Sequence, residues 1–465
     1  MTGAIPTELG TQPIRQLIRQ YAVPGIIAMT ASSLYNMVDS IYIGHIADVG
    51  SLAISGLAVT FPLMNISTAL GTLVGVGAAT MISVLLGQKN YKVANKVLAN
   101  EIALNILTGL TFTVVTLLWM NPILRFFGAS GNTLPFARDY MFIIALGNAV
   151  THLYFGLNSV IRSSGNPKLA MGLTLFTVTS NAILDPLLIF TFHMGIQGAA
   201  LATVLCQMMA LGYTLWYFLD EKRFLHLPRS RKVFRIDWNI AKDSLAIGMG
   251  PFLMNLASCI VVLFINQQLL KWGGDLAIGA YGIVNRISFL FAMVVMGFNQ
   301  GMQPIAGYNY GARQYTRVRE VYYRTMLWAT LVWTLGWVVS LFLAGPAVSI
   351  FTDDPALHSL AEKGLRCMNC VCPIVGFQMV TTNLFQCLGM VRKSIFLSLS
   401  RQLLFLLPCI YILPAVFESE IGVWYSFPIS DAVASVITAI LGIGLFRKLG
   451  RMKDGDDPAV LGGQI

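Results

Sequence analysis

The chain has 465 residues, of which 56% are apolar and only 11% are charged, and its mean hydropathy is +0.69. This composition excludes a water-soluble globular protein, because soluble domains carry about 25% charged residues. The formal charge of +10 requires no nucleic-acid partner, since basic loops facing anionic lipid account for it. The polar residues 1–20 contain no short apolar core with a cleavage site, so we expect no signal peptide.

Apolar stretches of 20 or more residues follow one another along the whole chain. A helix of that length crosses about 30 Å of hydrocarbon, whereas an isolated strand in lipid would leave its backbone groups unpaired. The sequence therefore predicts an all-α integral membrane protein with about twelve transmembrane helices. The predicted spans are 22–44, 52–86, 97–120, 138–162, 168–192, 196–219, 243–270, 276–308, 322–345, 362–388, 394–415 and 421–446.

The two halves of the chain are related by a constant shift of 224 residues, which aligns Gly87 with Gly311 and Gly165 with Gly389. Six crossings separate equivalent helices, so the halves share one orientation and enclose a central cleft suited to alternating access. We therefore expect two pseudo-symmetric six-helix bundles. The predicted segments are an N-terminal segment 1–21, a first lobe 22–219, a basic linker 220–242, a second lobe 243–446 and a tail 447–465.

Basic residues favour cytoplasmic loops of membrane proteins. With the N-terminus inside, 24 of the 31 Lys and Arg residues fall in cytoplasmic segments. We therefore expect a multi-pass protein of the inner (plasma) membrane, with both termini and the linker in the cytoplasm.

Two acids lie deep inside predicted spans of the first lobe. Asp39 shares one helix face with Ser32 and Asn36, and Asp185 follows Thr177 and Asn181 at intervals of four residues. Pro186 removes a backbone donor and so frees the carbonyl of Ala182. On the sixth helix Thr203 and Gln207 form a further polar pair. Carboxylate, amide and hydroxyl oxygens suit a small hard cation, and the carboxyls also suit a proton.

Hydrogen bonds that hold helices together are the alternative explanation for these polar groups. For Asn36, Asn181 and Thr203 taken singly, the two explanations are equally strong. For Asp39 and Asp185 function is favoured, because an unpaired Asp at the bilayer centre costs about 2.5 to 3.5 kcal/mol. Asp431 could instead pair with Arg401 on the preceding helix, and we expect a structural ion pair there rather than a substrate contact.

Three further features have weaker functional interpretations. Glu101 lies near a span end, and we expect it to reach the membrane interface. Gly75 and Gly77 resemble part of a dinucleotide motif, but within a membrane span they favour close helix packing. Pro24 and Pro186 could let the first and fifth helices bend, although Pro24 could equally begin its helix.

Several segments together resemble one family, the multidrug and toxic compound extrusion (MATE) transporters, of the prokaryotic DinF/MepA-like type within the MOP flippase superfamily. The segments that carry the resemblance are Leu34–Asp39 with Gly44, the loop 87–97, Arg162–Pro167, Asn181–Pro186, Gly195–Thr203, and Gln303 with Pro304 through Gly311. One departure is His45, where relatives often carry Arg.

The resemblance implies an exporter that exchanges inward Na⁺ or H⁺ for outgoing drug-like, amphipathic and often cationic compounds. It places a cation-binding site in the first lobe at Asp39, Asn181, Asp185 and Thr203, with Asn36, Gln207, Asp431 and Arg401 as candidates for substrate contact or support. No cofactor is implied beyond the coupling ion, Na⁺ or H⁺. The partners implied are drug-like substrates and membrane lipids, with no nucleic acid, and we expect a monomer.

Two other functions remain open. A lipid-linked oligosaccharide flippase of the same superfamily would have more spans and a basic cleft, whereas this chain has only Arg286 and Arg401 as cations within spans. A membrane-embedded enzyme or receptor is disfavoured, because the sequence contains no catalytic constellation or nucleotide motif. The choice between Na⁺ and H⁺ stays open, since the same oxygens bind both.

Overall fold

The computed structural model describes residues 8–44, 46, 50–227, 236–352 and 354–457. A few side chains within these ranges, that of Asn36 among them, lie outside the described part. His45 lies outside it altogether. The described residues form helices and short connections and include no strand.

Helices of the first half are α1 (Glu8–Thr11), α2 (Ile14–Gly44), α3 (Gly50–Gly87), α4 (Tyr91–Leu118), α5 (Met120–Phe126), α6 (Leu134–Ser163), α7 (Pro167–Pro186) and α8 (Ile196–Phe218). A π-helical turn, Leu187–Thr191, extends α7.

Helices of the second half are α9 (Trp238–Gly311), α10 (Tyr315–Phe342), α11 (Ala344–Ser349), α12 (Pro355–Met368), α13 (Cys372–Cys387), α14 (Val391–Leu399), α15 (Leu407–Phe417) and α16 (Ile421–Arg451). A π-helical turn, Ser400–Leu406, joins α14 to α15. Gly274, at φ 69°, divides α9 into two membrane-length parts, Trp238–Gly274 and Leu276–Gly311.

Among the described residues, ten helices are long and apolar enough to cross a membrane, or eleven if α12 and α13, bent by 56°, form one span. The prediction of an all-helical, multi-pass membrane protein is therefore confirmed. The remaining predicted span lies in α2, which is helical but less apolar than the other spans. Its polar residues, which include Ser32, Asn36 and Asp39, lower its hydropathy.

Backbone landmarks follow the predicted repeat. Helices α4 and α10 both have 28 residues, and their first residues lie 224 positions apart. Lys89 and Arg313, related by the same shift, both adopt the left-handed conformation, with φ 60° and 59°. The turns at Gly165 and Gly389 also have positive φ, 101° and 67°. The halves thus share turn geometry as well as helix length.

The structure divides into two compact units. The first unit contains Ile27–Phe252, and the second contains Gln12–Ile26 together with the chain from Leu253 onward. The start of α2 therefore belongs to the second unit and the start of α9 to the first. Hence the two compact units differ from the predicted lobes 22–219 and 243–446 at the starts of α2 and α9.

Small residues allow close helix contacts inside the first unit. A Cβ atom added to Gly75 of α3 would lie 2.5 Å from the Cα atom of Gly156 on α6. Gly77 similarly faces the backbone of Ser244 at the start of α9. The expectation that Gly75 and Gly77 serve helix packing is confirmed, because side chains at either position would overlap a neighbouring backbone.

Each unit has its own apolar core. The core of the first unit is built from α2, α3, α6, the π turn and α8, and includes Ile43, Tyr140, Met141, Ile189 and Ala200. The core of the second unit includes Tyr281, Val284, Leu365, Trp424 and Phe427. In the first unit the core closes one side of the candidate site described next.

Candidate functional site

Three helices of the first unit carry the predicted cation-binding residues. Asp39 lies on α2, Asn181 and Asp185 lie one turn apart on α7, and Thr203 lies on α8. All four side chains are buried, with exposed fractions of 8% or less. The fold therefore brings together residues separated by more than 160 positions in sequence.

Thr203 anchors two neighbours through its hydroxyl oxygen. That hydroxyl donates to the backbone carbonyl of Ala199 at 3.1 Å and accepts from Nδ2 of Asn181 at 3.3 Å. The hydroxyl of Tyr35, on α2, lies 2.8 Å from the same oxygen. Because the Thr203 proton is directed at Ala199, Tyr35 is the donor in this contact. A hydroxyl has one donor and two acceptor positions. Because all three are used, Thr203 orients Asn181 and Tyr35 in this conformation.

This anchoring leaves acceptor oxygens free at the same place. Among the described residues, no hydrogen bond of good geometry reaches the buried atoms Oδ1 of Asn181, Oδ1 of Asp39 and both carboxyl oxygens of Asp185. The carboxyl groups of Asp39 and Asp185 lie close enough to interact. Buried carboxylates without donors are costly, so the arrangement favours binding of a small cation or of a proton shared by the pair.

Asp185 precedes a local departure from regular helix. Pro186 follows it, and the π turn Leu187–Thr191 begins immediately afterwards. Proline lacks the N–H that an α-helix would use here, and π turns occur frequently at functional sites. The free carbonyl predicted near Asp185 is thus accompanied by an irregular segment that can adjust the carboxyl position.

A cavity of about 320 Å³ opens beside these residues within the first unit. Tyr35, Asp39, Asn181 and Thr203 form part of its polar wall, to which Gln207 also contributes. Oε1 of Gln207 accepts a hydrogen bond of 2.5 Å from Thr151.

The apolar wall of the cavity includes Leu57, Phe61, Met64, Phe155 and Val178. Among the described lining residues there is no Lys or Arg, so no cationic side chain of the cavity wall lies beside Asp39.

The remaining predicted residues lie elsewhere. Asp431 and Arg401 belong to the second unit, where Nε of Arg401 donates to Oδ1 of Asp431 at 2.5 Å. The predicted ion pair is therefore present, and the carboxylate of Asp431 is bound to Arg401. Asn36 is on the same helix as Asp39, but its side chain lies outside the described part.

The sequence interpretation missed Tyr35 and Tyr140, which both line the cavity. Tyr35 stands one helical turn before Asp39, so the spacing of four could have identified it. Tyr140 comes from α6 and carries no such signal. The expectation that Glu101 reaches the membrane interface is wrong, because its side chain is only 1% exposed inside the first unit.

Comparison with known proteins places the chain in a family. A model of the MatE family matches residues 24–187 and 246–412, one match in each half. Multidrug export protein MepA of Staphylococcus aureus (strain N315) is 28% identical over 435 residues, which cover 94% of each chain. Multidrug export protein MepA of Staphylococcus haemolyticus (strain JCSC1435) is 28% identical over 436 residues, covering 94% of this chain and 95% of the relative.

The fold agrees with a solved structure described as the outward-facing conformation of a multidrug resistance MATE family transporter of the MOP superfamily. The likeness has a TM-score of 0.88, covers 97% of this chain and 100% of that chain, and concerns the fold alone at 22% identity. Because the family model covers well over half of the residues and matches both halves, the chain belongs to the MATE family of membrane transporters and is not an enzyme.

Proposed function

We propose that this protein is a secondary active multidrug exporter that exchanges inward Na⁺ or H⁺ for outgoing amphipathic, often cationic, compounds by alternating access. The relatives named multidrug export proteins support the substrate class. The observation that carries the proposal is the pair of buried acids, Asp39 and Asp185. Among the described residues, three of their four oxygens accept no hydrogen bond, and the lining of the neighbouring cavity includes no Lys or Arg. Such a site requires a cation for neutrality, and an ion gradient can supply one.

The proposed coupling ion binds between α2 and α7. Asp39 and Asp185 supply negative charge, and Asn181 supplies a free amide oxygen held in place by Thr203. For Na⁺ these oxygens act as ligands, and for H⁺ the two carboxyls share the proton. Each charge moving through about 100 mV provides about 2.3 kcal/mol. This free energy supports about a 50-fold substrate gradient per ion, if the exchanged substrate carries no net charge.

The cavity also supports binding of an amphipathic compound. Its volume of about 320 Å³ lies at the lower end of the range for drug-sized ligands, about 300 to 1,000 Å³. Aromatic and Met side chains on the apolar wall adapt to different shapes, whereas the acids attract positive charge. Release of the ion from the acids and binding of a cationic compound beside them would therefore favour each other.

We further propose that both termini face the cytoplasm. This orientation places the basic linker 220–242 and most of the Lys and Arg residues on the cytoplasmic side, as the positive-inside rule requires.

A flippase for lipid-linked oligosaccharides has less support. Recognition of pyrophosphate requires free cationic groups in the cleft. Of the two predicted intramembrane cations, Arg401 is paired with Asp431, and neither Arg286 nor Arg401 lines the cavity described above.

The proposal is tested with purified protein in proteoliposomes loaded with ethidium, a fluorescent amphipathic cation. A Na⁺ gradient at equal pH and a pH gradient without Na⁺ are imposed separately, each with the membrane potential clamped. We expect one of the two gradients to drive ethidium movement against its concentration difference. Movement under neither gradient, for ethidium or other amphipathic cations, would contradict ion-coupled export.

A further inference from the structure

A second buried acid lies in the first unit, on a helix that contributes nothing to the Asp39 and Asp185 site. Glu101 is on α4, one turn before Asn105, and both side chains are at most 1% exposed. A Cβ atom added to Gly156 would overlap Oε1 of Glu101 and Nδ2 of Asn105. The two side chains therefore lie directly on the backbone of α6, at a place that only glycine leaves open.

The atoms of Glu101 and Asn105 are complementary if the carboxyl carries a proton. Nδ2 of Asn105 donates to Oε1 of Glu101 at 2.6 Å. The two other oxygens, Oε2 of Glu101 and Oδ1 of Asn105, are both buried and have no hydrogen-bond partner among the described residues. A carboxylate can only accept hydrogen bonds, but a protonated carboxyl also donates one. A proton on Oε2 would therefore allow that atom to donate to Oδ1 and would satisfy both oxygens together.

We propose that Glu101 is a second proton-binding site, in which the protonated carboxyl and the Asn105 amide form a cyclic pair between α4 and α6. The ligand is a single proton, bound at Oε2. The site is separate from the cation site on α2 and α7, and it does not depend on which ion drives transport.

Within the part of the chain that the structure describes, no charged group is placed to stabilise an ionised Glu101 carboxyl. Helix α3, which packs against α4, contains no ionisable residue. At the start of α9 the ionisable residues Asp237, Lys242 and Asp243 are exposed. On α6 His152 lies one turn before Gly156, and the guanidinium of the more distant Arg162 hydrogen-bonds Asn158 instead. Among the described residues no Lys or Arg forms an ion pair with Glu101.

His152 links this region to the cavity of the cation site. Its Nδ1 lies 3.5 Å from the hydroxyl of Thr108, which donates to the carbonyl of Asn105. Its Nε2 lies 3.0 Å from the hydroxyl of Ser67, which donates to Oδ1 of Asn148. Ser67 and Asn148 line the cavity. A buried polar strip thus runs from Glu101 through His152 to the cavity.

The test compares the pH dependence of unfolding in two proteins. Both carry Asp39→Asn and Asp185→Asn, which remove the titration of the cation site, and one also carries Glu101→Gln. Gln reproduces the proposed pattern, because its oxygen accepts from Asn105 and its amide donates to Oδ1. Unfolding is followed by titration with SDS in mixed micelles between about pH 7 and 9, where free Asp, Glu and His are already deprotonated.

With Glu101 present, the folded protein binds one more proton than the unfolded chain. Stability should therefore fall as pH rises, and the unfolding equilibrium constant should increase up to about tenfold per pH unit more than in the Glu101→Gln protein. Glu320→Gln, at an exposed position of α10, is the matched control and should leave the pH dependence unchanged. Equal pH dependence with and without Glu101 would overturn the proposal.

A second measurement decides the question if the Glu101→Gln protein does not fold. Infrared spectra of the Asp39→Asn, Asp185→Asn protein labelled with ¹³C-carboxyl glutamate should contain the C=O stretching band of a protonated, buried Glu at neutral pH. Absence of that band would show that Glu101 is ionised and would overturn the site.

Discussion

The two halves of the chain share helix lengths and turn geometry but differ in the polar side chains at equivalent positions. The shift of 224 residues that relates α4 to α10 places Phe405 at the position of Asn181 and Cys409 at that of Asp185. In the first unit several oxygens of Asp39 and Asp185 have no hydrogen-bond partner among the described residues. In the second unit the buried acid Asp431 is instead paired with Arg401.

The two halves therefore share their turns and helix contacts but differ in the polar side chains inside the helix bundles. Turns and close helix contacts depend on backbone geometry, so the positive φ values recur in both halves. Polar side chains inside the bundles are not needed for those turns and can be replaced by Phe or Cys. We therefore expect the first unit, with its two acids, to respond to the coupling ion, whereas in the second unit the charge of Asp431 is compensated by Arg401.

The largest expected effect comes from removing the acids of the first unit. Asp39→Asn and Asp185→Asn should each abolish gradient-driven export, because Asn cannot bind a proton and carries no charge for Na⁺. Both proteins should still fold, since Asn has nearly the same shape and is cheaper to bury. Ion-driven efflux from proteoliposomes measures the effect.

Asp139→Asn is the matched control, because Asp139 is an exposed acid on α6, and it should export normally. Full coupled transport by the Asp39→Asn, Asp185→Asn double variant would remove the cation site from the first unit.

Breaking the ion pair of the second unit should affect stability more than coupling. Asp431→Asn leaves Arg401 without its partner, and a broken buried pair costs about 3 to 5 kcal/mol. We expect a value near or below the lower limit, because the Arg401 side chain is 32% exposed. Ion-coupled efflux per folded molecule should persist. The measurements are unfolding in mixed micelles and efflux normalised to folded protein.

A double-mutant cycle with Arg401→Gln isolates the pair itself. The double variant should be less destabilised than the sum of the single variants. If Asp431→Asn leaves stability unchanged and abolishes coupling, the assignment of a structural ion pair to the second unit and of ion coupling to the first is wrong.

Equivalent turn glycines should differ in their tolerance of a side chain. Ala in the left-handed region costs about 1 to 2 kcal/mol. Gly389 lies within that region at φ 67°, whereas Gly165 lies beyond it at φ 101°, so Gly165→Ala should destabilise more than Gly389→Ala. Unfolding in mixed micelles measures both.

Gly172→Ala is the control for the glycine comparison, because an added Cβ atom there meets no atom within 4 Å. Helical Ala is favoured over Gly by about 0.5 to 1 kcal/mol, so this variant should be as stable as the parent or more so. Equal losses at Gly165 and Gly389 would show that the two turns respond alike despite their different φ values.

The smallest effect is expected from two Tyr to Thr hydrogen bonds, one in each unit. Tyr35 bonds Thr203 at 2.8 Å, and Tyr322 bonds Thr381 at 2.9 Å. Tyr35→Phe should weaken ion affinity by about threefold to tenfold, which corresponds to about 0.5 to 1.5 kcal/mol for one hydrogen bond. Tyr322→Phe should lower stability by a similar free energy and leave ion affinity unchanged. Ion titrations followed by tryptophan fluorescence and unfolding measurements distinguish the two effects.

Much of the fold could be predicted from the sequence. Composition and span length led to a multi-pass helical protein, since lipid allows few other ways to pair the backbone. The repeat is visible from glycines at equivalent positions, of which Gly165 and Gly389 both adopt positive φ in the structure. The span in α2 was less apolar than the others because it carries Asp39 and its polar neighbours.

The candidate site could be predicted only in part. Asp39 and Asp185 stood out because acids within apolar spans are rare. Tyr140 did not, since a Tyr on a membrane helix is common and its position beside the cavity depends on how α6 packs. Glu101 was misplaced for a similar reason, because its distance along α4 from the span end suggested access to the interface, while Gly156 allows it to be buried against α6.

The sequence by itself determined the helices, their approximate limits, the internal repeat and the residue types that must be shielded from lipid, because these follow from local hydropathy and spacing. Tertiary structure alone decided which buried polar atoms meet a partner. Thr203 holds Asn181 by its amide nitrogen, and among the described residues no donor reaches Oδ1 of Asn181 or three of the four oxygens of Asp39 and Asp185. Arg401, by contrast, pairs with Asp431. Such pairing depends on contacts between helices far apart in the chain, and hydropathy contains no information about them.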